Sequence, residues 1–206
     1  MHKPIHTPTH NPINQPCLRN QDPIFQKLQQ FFKDPGSVLE LACGTAQHAV
    51  YFSQRLPHLN WQPSDLPNAL PGANLWINDA TLNNLNPAIA IDISNDQWTK
   101  NQYDYAYCAN LIHFVSQEDV SNIFKGIQRH LKKGGLLAVY GPFNQQGFTS
   151  DGNRGLDLWL KSEIHPQAGI KELDDIKALA EQHQLILQEN ESMPANNRLL
   201  LFRLQE

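Results

Sequence analysis

The amino-acid sequence predicts one α/β domain with a mostly parallel β-sheet, and three features support this prediction. Short apolar runs with strand character alternate with segments in which apolar residues have helical spacing. Such alternation produces right-handed βαβ units, whose strands run parallel. The last two predicted strands follow each other without a helix between them, so we expect them to pair antiparallel. With 206 residues, the chain is long enough for one such domain and its core.

The first 18 residues are predicted to form a flexible tail ahead of a domain that spans residues 19–206. Histidines alternate in this tail with prolines: His2, Pro4, His6, Pro8, His10, Pro12 and Pro16. Because proline breaks a helix, these histidines do not share a helical face, and a tail is favoured over a metal site.

The first helix is predicted to begin at Asp22, which serves as the N-cap, with Pro23 in the first helical position. The sequence Asp34-Pro35-Gly36 ends this helix. Between them lies an apolar stripe made of Ile24, Phe25, Leu28, Phe31 and Phe32.

The remaining elements follow from local patterns in the same way. Apolar runs predict strands at 38–42, 59–63, 88–93, 103–109, 136–140, 185–188 and 199–204. Helical spacing predicts helices at 46–56, 117–131 and 173–183, and the Lys-Lys-Gly-Gly sequence at 132–135 ends the second of these. The stretch between residues 65 and 89 is short and interrupted by proline, so we expect an abbreviated crossover there.

Composition excludes several classes of partner. The formal net charge is −4 and there is no basic stripe, so we expect no nucleic-acid partner. No apolar run reaches membrane-spanning length, and the N-terminus does not resemble a signal peptide. The three cysteines are far apart and form no Cys-x-x-Cys pair, which favours free thiols, a cytoplasmic location and no bound metal. No pattern in the sequence sets the oligomeric state.

The segment from Ser37 to His48 is the most informative part of the chain. A short apolar strand ends on a carboxylate, Glu40, and passes through small residues such as Ala42 and Gly44 into a helix. Small residues at a strand-to-helix turn let a ligand lie against the backbone, beside the positive end of the helix. This pattern predicts a site for a nucleotide-like cofactor.

Polar residues follow the ends of four predicted strands: Glu40, Asp65, Asp92 and Asn110. Ligands bind beyond the carboxyl ends of the strands in an open α/β sheet, so we expect these residues to surround the cofactor. Asp65 is placed to accept the two ribose hydroxyls, and Asp92 to meet the adenine amino group. Each of them, taken alone, is also typical of a helix cap or a turn.

Two cofactors compete for this turn. NAD requires Gly-x-Gly-x-x-Gly, whereas this chain offers Gly44 between Ala42 and Ala46, with no following glycine. A carboxylate directly before the turn, Glu40, is expected where a cationic methionine amino group is bound. These two points favour S-adenosylmethionine and leave a nicotinamide-dependent oxidoreductase as the weaker alternative.

Several strings in the chain resemble a class I methyltransferase family of poorly defined activity, the one that includes methyltransferase-like protein 26. The resemblance runs from Arg19 to the C-terminus. It rests on Arg19-Asn20, Val38-Leu39-Glu40 with Gly44 and Gln47-His48, Trp61-Gln62-Pro63-Ser64-Asp65, Asn110 with His113, Tyr140-Gly141-Pro142-Phe143, Asn153 with Asp157, and Met193-Pro194-Ala195-Asn196-Asn197.

The resemblance implies a Rossmann-like class I methyltransferase fold. This fold has a mostly parallel seven-stranded sheet with an antiparallel last strand and helices on both faces. It also implies an enzyme, an S-adenosylmethionine-dependent methyltransferase with a small-molecule acceptor. Arg19 and Asn20 would then close over the methionine end of the cofactor, with Arg19 on its carboxylate. The remaining implied cofactor residues are Glu40, Ala42, Gly44, Gln47, Asp65, Asp92, Ile93 and Asn110.

The reaction itself leaves several residue roles open. His113 either accepts a proton from the acceptor or orients a loop, and Tyr140 either donates a hydrogen bond or packs. Four further residues either line the acceptor pocket or form ordinary caps and turns: Asn153, Asp157, Asn196 and Asn197.

One segment departs from the family pattern. Residues 165–172 stand where the family has Trp-Gly-Ile-Arg-Asp, so the shape of the acceptor pocket is expected to differ. This departure motivates the alternative function, a catalytically silent scaffold or regulator that binds S-adenosylmethionine.

Overall fold

The computed structural model describes residues 11–95 and 98–205, and a seven-stranded sheet forms its centre. The strands are β1 (Gly36–Leu41), β2 (Leu59–Asp65), β3 (Ile89–Ala90), β4 (Tyr103–Ala109), β5 (Leu131–Pro142), β6 (Leu185–Met193) and β7 (Asn197–Leu204). Their order across the sheet is β3-β2-β1-β4-β5-β7-β6. Strands β1 to β5 run parallel to one another, and β7 runs antiparallel to both β5 and β6. The predicted fold class is therefore confirmed.

Helices cover both faces of the sheet. They are α1 (Gln15–Phe31), α2 (Gln47–Arg55), α3 (Leu70–Ala80), α4 (Gln117–His130), α5 (Asp151–Trp159) and α6 (Leu173–Gln182), with a π-helical turn at Leu160–Ile164 and a 3₁₀ turn at Pro194–Asn196. Helices α1, α2 and α3 pack on one face, and α4 and α6 on the other. None of the helices in the described parts of the chain is both long enough and apolar enough to cross a membrane.

Side-chain alternation along the strands separates the core into two layers. Val38 and Trp61 pack under α1 and α2, whereas the next residue on β1, Leu39, packs with α4 on the other face. This alternation fixes the register of the strands, because a slip by one residue would exchange the two faces. It also holds the carboxyl ends of β1, β4 and β5 side by side.

The first helix begins earlier than predicted. It starts at Gln15, where the Asn14 side chain accepts the Cys17 backbone N–H at 3.2 Å and caps the helix, and Pro23 lies inside it. Residues 15–18, which we placed in the flexible tail, are therefore helical. Residues 1–10, with the three predicted tail histidines, lie outside the described residues.

Several other boundaries also differ from the prediction. Helix α3 occupies 70–80, where we expected only an abbreviated crossover, and Ile89–Ala90 is all that forms of the strand predicted at 88–93. Strand β5 begins at Leu131 because Leu131 pairs with Tyr103, so the Lys-Lys-Gly-Gly sequence lies within an irregular part of that strand. A glycine there matches its left-handed backbone, since φ of Gly134 is 75°.

Candidate functional site

A cleft of about 970 Å³ opens at the carboxyl ends of β1, β4 and β5. It joins residues from both halves of the chain, and eleven of the sequence-predicted site residues line it. These are Arg19, Asn20, Glu40, Ala42, Gly44, Asn110, His113, Tyr140, Asn153, Asn196 and Asn197. Gln47, Asp65, Asp92, Ile93 and Asp157 are not among the lining residues.

The turn after β1 has an unusual backbone that explains its small residues. Ala42, Gly44 and Ala46 all have positive φ angles, of 52°, 57° and 60°. A β-carbon added to Gly44 would meet no protein atom within 4 Å, so this side of the turn faces open space. The turn therefore presents bare backbone to the cleft, as the sequence pattern predicts.

Hydrogen bonds to the end of β2 hold this turn in place. The Gly44 backbone N–H donates to Oδ2 of Asp65 at 2.7 Å, and the Cys43 N–H donates to the Ser64 carbonyl at 3.0 Å. The other Asp65 oxygen accepts the Leu66 N–H at 2.7 Å. Asp65 thus stands beside the turn, where it braces Gly44.

Burial shifts the pKa of the Glu40 carboxyl group far from its ordinary value. Its side chain lies at the cleft with the residue only 2% exposed, and its Oε2 accepts the indole N–H of Trp61 at 2.6 Å. Burial raises the pKa of Glu40 to about 8, the Trp61 hydrogen bond lowers it, and the Asp65 charge raises it further. A cationic ligand group placed beside Glu40 would favour its ionised form. The sequence pointed to Glu40, whereas Trp61 entered only as part of the Trp-Gln-Pro-Ser-Asp string, with no role at the site.

Two predicted cofactor residues have local structural partners instead. Oδ1 of Asp92 accepts the Ser94 N–H at 3.0 Å, and Oδ2 accepts the Asn95 side chain at 2.9 Å. This is the turn geometry that the sequence left as the alternative. Gln47 is buried at the start of α2, where its Oε1 accepts the Thr45 hydroxyl at 3.0 Å and its Nε2 lacks a hydrogen-bond partner in the described structure.

His113 and Tyr140 both line the cleft, at the ends of neighbouring strands. His113 is 4% exposed, and burial together with the Lys171 charge lowers its pKa to about 4, so the imidazole is neutral at physiological pH. Burial raises the pKa of Tyr140, against the effects of a hydrogen bond from Asn20 and of the Arg19 charge. Asn110 lies three residues before His113 in the chain; its φ is 57°, and its backbone N–H donates to the Tyr140 carbonyl at 2.8 Å.

A buried hydrogen-bonded network reaches the cleft from the core. The Tyr107 hydroxyl lies 3.1 Å from Nδ1 of His48, and Nε2 of His48 lies 2.7 Å from Oδ1 of Asn20. Its members are 28 and 59 positions apart in the chain, so no local pattern predicts this network. The position of Tyr107 near the end of a strand was the one signal in the sequence.

The predicted acceptor residues divide into two groups. Asn153, Asn196 and Asn197 line the cleft, and Asn153 is buried with its amide donating to Thr149 at 2.8 Å. Asp157, in contrast, pairs with Lys161 at 2.6 Å and accepts the Ile170 N–H at 2.8 Å. The carboxylate oxygens of Asp157 are therefore used within the protein, because they fasten the segment after the π-helical turn.

That segment, residues 165–172, is the one that departs from the family pattern. Besides the Ile170 bond, its Gly169 N–H donates to the His113 carbonyl at 2.9 Å, and Lys171 donates to the Val115 carbonyl at 2.9 Å. It therefore packs directly against the loop that carries His113. Among residues 11–95 and 98–205, no group of three or more metal-ligating side chains comes together.

Comparisons with known proteins agree with this fold. The family model described as "Protein of unknown function (DUF938)" matches residues 11–204. Three similar solved structures are methyltransferases. The S-adenosylmethionine-dependent methyltransferase SibL in its apo form has a TM-score of 0.78 and 18% identity, over 92% of this chain and 56% of that one.

The other two are comparable in similarity. An O-methyltransferase family protein from Burkholderia thailandensis has a TM-score of 0.76 and 16% identity, over 92% of this chain and 57% of that one. Human N-acetylserotonin methyltransferase in complex with SAM has a TM-score of 0.78 and 14% identity, over 93% and 53%. The chain spans little more than half of each structure. At these identities the likeness shows the methyltransferase fold, while the narrower resemblance to methyltransferase-like protein 26 stays a prediction.

Proposed function

Since this chain belongs to the DUF938 family, and that family's description assigns no function, we propose from its site that it is an S-adenosylmethionine-dependent methyltransferase with an uncharged small-molecule acceptor. The observation that carries the proposal is the buried Glu40 carboxylate beside an open small-residue turn. A methionine ammonium group beside Glu40 would pair with this carboxylate. A dinucleotide pyrophosphate would be repelled by the nearby Asp65 carboxylate and would gain no ion pair from Glu40, whose raised pKa of about 8 suits a cationic ligand group instead.

The charges around the cleft suit a zwitterionic methionine end. Arg19 on α1 is exposed and lines the cleft, so it can bind the methionine carboxylate while Glu40 binds the ammonium group. Asp65 would exchange part of its hold on Gly44 for the ribose hydroxyls, and Ile93 would pack against adenine. The human structure that resembles this chain is a complex with SAM, which supports the same cofactor here.

The rest of the cleft suits a neutral acceptor. Apart from Arg19 and Glu40, the described residues that line it include no Lys, Arg, Asp or Glu. The pKa values of its two histidines, His48 and His113, are lowered to about 4 and that of Cys17 is raised to about 12, so these three side chains are uncharged at neutral pH. A charged substrate would gain no ion pair there and would lose hydration.

The reaction needs alignment and one proton acceptor. The nucleophile attacks the sulfonium methyl in line, the carbon–sulfur bond breaks, and its electron pair stays on sulfur as a neutral thioether. If the acceptor is a hydroxyl group, its proton passes to the neutral imidazole of His113, and Tyr140 holds the same oxygen by a hydrogen bond. The protein otherwise excludes water and fixes the line of attack.

Binding of S-adenosylhomocysteine tests the proposal. We expect the ligand to raise the unfolding temperature and NAD to leave it unchanged, as measured by differential scanning fluorimetry. In calorimetry, Asp65→Ala should weaken binding more than about tenfold, whereas Asp174→Ala, on the exposed side of α6, should not change it. Stabilisation by NAD, or equal affinity in the Asp65 variant, would refute the cofactor assignment.

Transfer activity distinguishes the enzyme from the silent scaffold. The protein is incubated with methyl-labelled S-adenosylmethionine and a metabolite extract. We expect labelled product with the wild type. Tight binding of the cofactor without any transfer would favour the scaffold, which the altered segment at 165–172 motivates.

A further inference from the structure

His48 is buried between α2 and the sheet, and it connects the core to the cleft. It is 4% exposed, and its two ring nitrogens have different partners. Nδ1 faces the Tyr107 hydroxyl at 3.1 Å, and Nε2 faces Oδ1 of Asn20 at 2.7 Å. These partners lie on β4 and α1, so the ring ties three separate elements together.

The acceptors on α1 fix which nitrogen carries the proton. Burial lowers the pKa of His48 to about 4, so the ring is neutral and has a single N–H. Both groups that face it from α1, the Asn20 amide oxygen and the backbone of Cys17, are acceptors. The proton therefore sits on Nε2, and Nδ1 accepts the hydroxyl hydrogen of Tyr107, whose pKa burial raises well above its usual value.

The Asn20 side chain has the orientation that completes this directional chain, with its oxygen toward His48. Because its oxygen is taken by His48, its NH₂ group is the part that donates to the Tyr140 hydroxyl, and its second hydrogen is left for a ligand in the cleft that both residues line. A reversed amide would place NH₂ against the Nε2–H of His48, which is a repulsive arrangement.

We propose that His48 and Tyr107 are positioning residues, which hold the NH₂ group of Asn20 toward the cleft so that it donates to the methionine carboxylate of the bound cofactor. The proposal rests on the proposed function, since it assigns the amino-acid end of that cofactor to Arg19 and Asn20. Neither His48 nor Tyr107 has to touch the reacting atoms for this role. Their effect is confined to the amino-acid end of the ligand.

Two ligands that differ only at that end provide the test. S-adenosylhomocysteine carries the amino-acid group, whereas 5′-methylthioadenosine has the same adenosine and sulfur without it. We expect Tyr107→Phe to weaken the binding of S-adenosylhomocysteine about three- to tenfold in calorimetry. The affinity for 5′-methylthioadenosine should change by less than about twofold. General damage to the fold would weaken the binding of both ligands by similar factors.

Tyr105→Phe is the matched control. Tyr105 lies two residues earlier on the same strand and in the same core layer, and its hydroxyl donates to the Asp34 carbonyl at 3.1 Å, next to the amino end of β1. The Tyr105→Phe variant loses one hydroxyl and one hydrogen bond, as Tyr107→Phe does. We expect this control variant to bind both ligands with unchanged affinity.

Asn20→Asp gives a second variant that keeps the partner of His48. An aspartate oxygen still accepts the Nε2–H but places a negative charge against the methionine carboxylate. We expect this variant to lose more than about tenfold in affinity for S-adenosylhomocysteine and to keep nearly the same affinity for 5′-methylthioadenosine. Nitrogen-15 NMR of the wild type should show His48 protonated at Nε2.

The outcomes separate the two proposals. Equal effects of Tyr107→Phe on both ligands, no effect on S-adenosylhomocysteine, or an Nδ1-protonated His48 would overturn the positioning role while leaving the methyltransferase proposal intact. A wild-type protein that binds neither ligand would instead overturn the proposed function.

Discussion

The raised pKa of Glu40 predicts that cofactor binding releases a proton. Without a ligand, burial holds the carboxyl group mostly protonated at neutral pH, because its pKa is about 8. The methionine ammonium group of S-adenosylhomocysteine would favour the carboxylate, so binding should drive the proton off. At pH 7 a group with this pKa is about nine-tenths protonated. We therefore expect the release of about 0.9 proton for each ligand that binds.

The same linkage sets how affinity depends on pH. If the ionised carboxylate is the form that binds, affinity should rise by nearly tenfold per pH unit from about pH 5.5 toward about pH 7.5. Three other groups that line the cleft, His48, His113 and Cys17, do not titrate in this window. The pKa values of His48 and His113 are lowered to about 4, and that of Cys17 is raised to about 12.

The free energy of unfolding of the protein without a ligand should fall as the pH rises, whereas the affinity rises. The folded protein keeps the Glu40 proton up to a pKa of about 8, whereas the unfolded chain releases it near the ordinary value of 4.5. Raising the pH through this range therefore favours the unfolded chain, by about 1.4 kcal/mol for each unit of pKa difference at most. The penalty is absent below pH 4.5 and complete above pH 8.

Glu40→Gln removes the titration and keeps the shape. A glutamine oxygen still accepts the indole N–H of Trp61, which donates to Glu40 at 2.6 Å. We expect this variant to be more stable than the wild type at pH 8, to bind S-adenosylhomocysteine more weakly, and to release almost no proton. Calorimetry in buffers of different ionisation enthalpy measures the proton count. A wild-type count near zero at pH 7, or the same pH slope in both proteins, would refute the reasoning.

Two further predictions concern the acceptor side of the cleft. His113→Ala should reduce methyl transfer by about 100-fold or more while S-adenosylhomocysteine affinity stays within about twofold, and equal losses in both measurements would assign His113 a structural role. Gly169→Ala should lower the free energy of unfolding by about 1–3 kcal/mol in denaturant titrations, because φ there is +143° and a β-carbon would lie 2.5 Å from Oδ1 of Asp157. Gly155→Ala, in open space on α5, is the control and should be neutral or stabilising; an unchanged Gly169 variant would contradict the role of Asp157 in holding residues 165–172.

The strand-end rule predicted much of the cleft and failed where a side chain had a nearer partner. Glu40, Asn110 and Tyr140 converge because parallel strands place their carboxyl ends at one edge. Asp92 also follows a strand, but the N–H groups of its own turn are closer and use its oxygens. Asp157 is taken in the same way by Lys161 and Ile170. Sequence position alone does not rank such competing partners.

Helix boundaries show a similar division. Pro23 and Asp22 form a good local start signal, but Asn14 caps the helix earlier, and Trp76 on α3 holds the preceding residues through a bond to the Pro12 carbonyl at 3.0 Å. That contact joins positions 64 apart in the chain. A local pattern therefore identified the helix and missed its beginning.

The sequence by itself determined the alternation of strands and helices, the small-residue turn after β1 and the carboxylate that precedes it. These features depend on the spacing of apolar residues and on the steric freedom of small residues, which neighbouring positions set. Tertiary structure alone decided the protonation of Glu40, the use of Asp157 to anchor the 165–172 segment, and the chain from Tyr107 through His48 to Asn20. Burial and hydrogen bonds between positions 28 and 59 apart exist only once the sheet and its helices have packed.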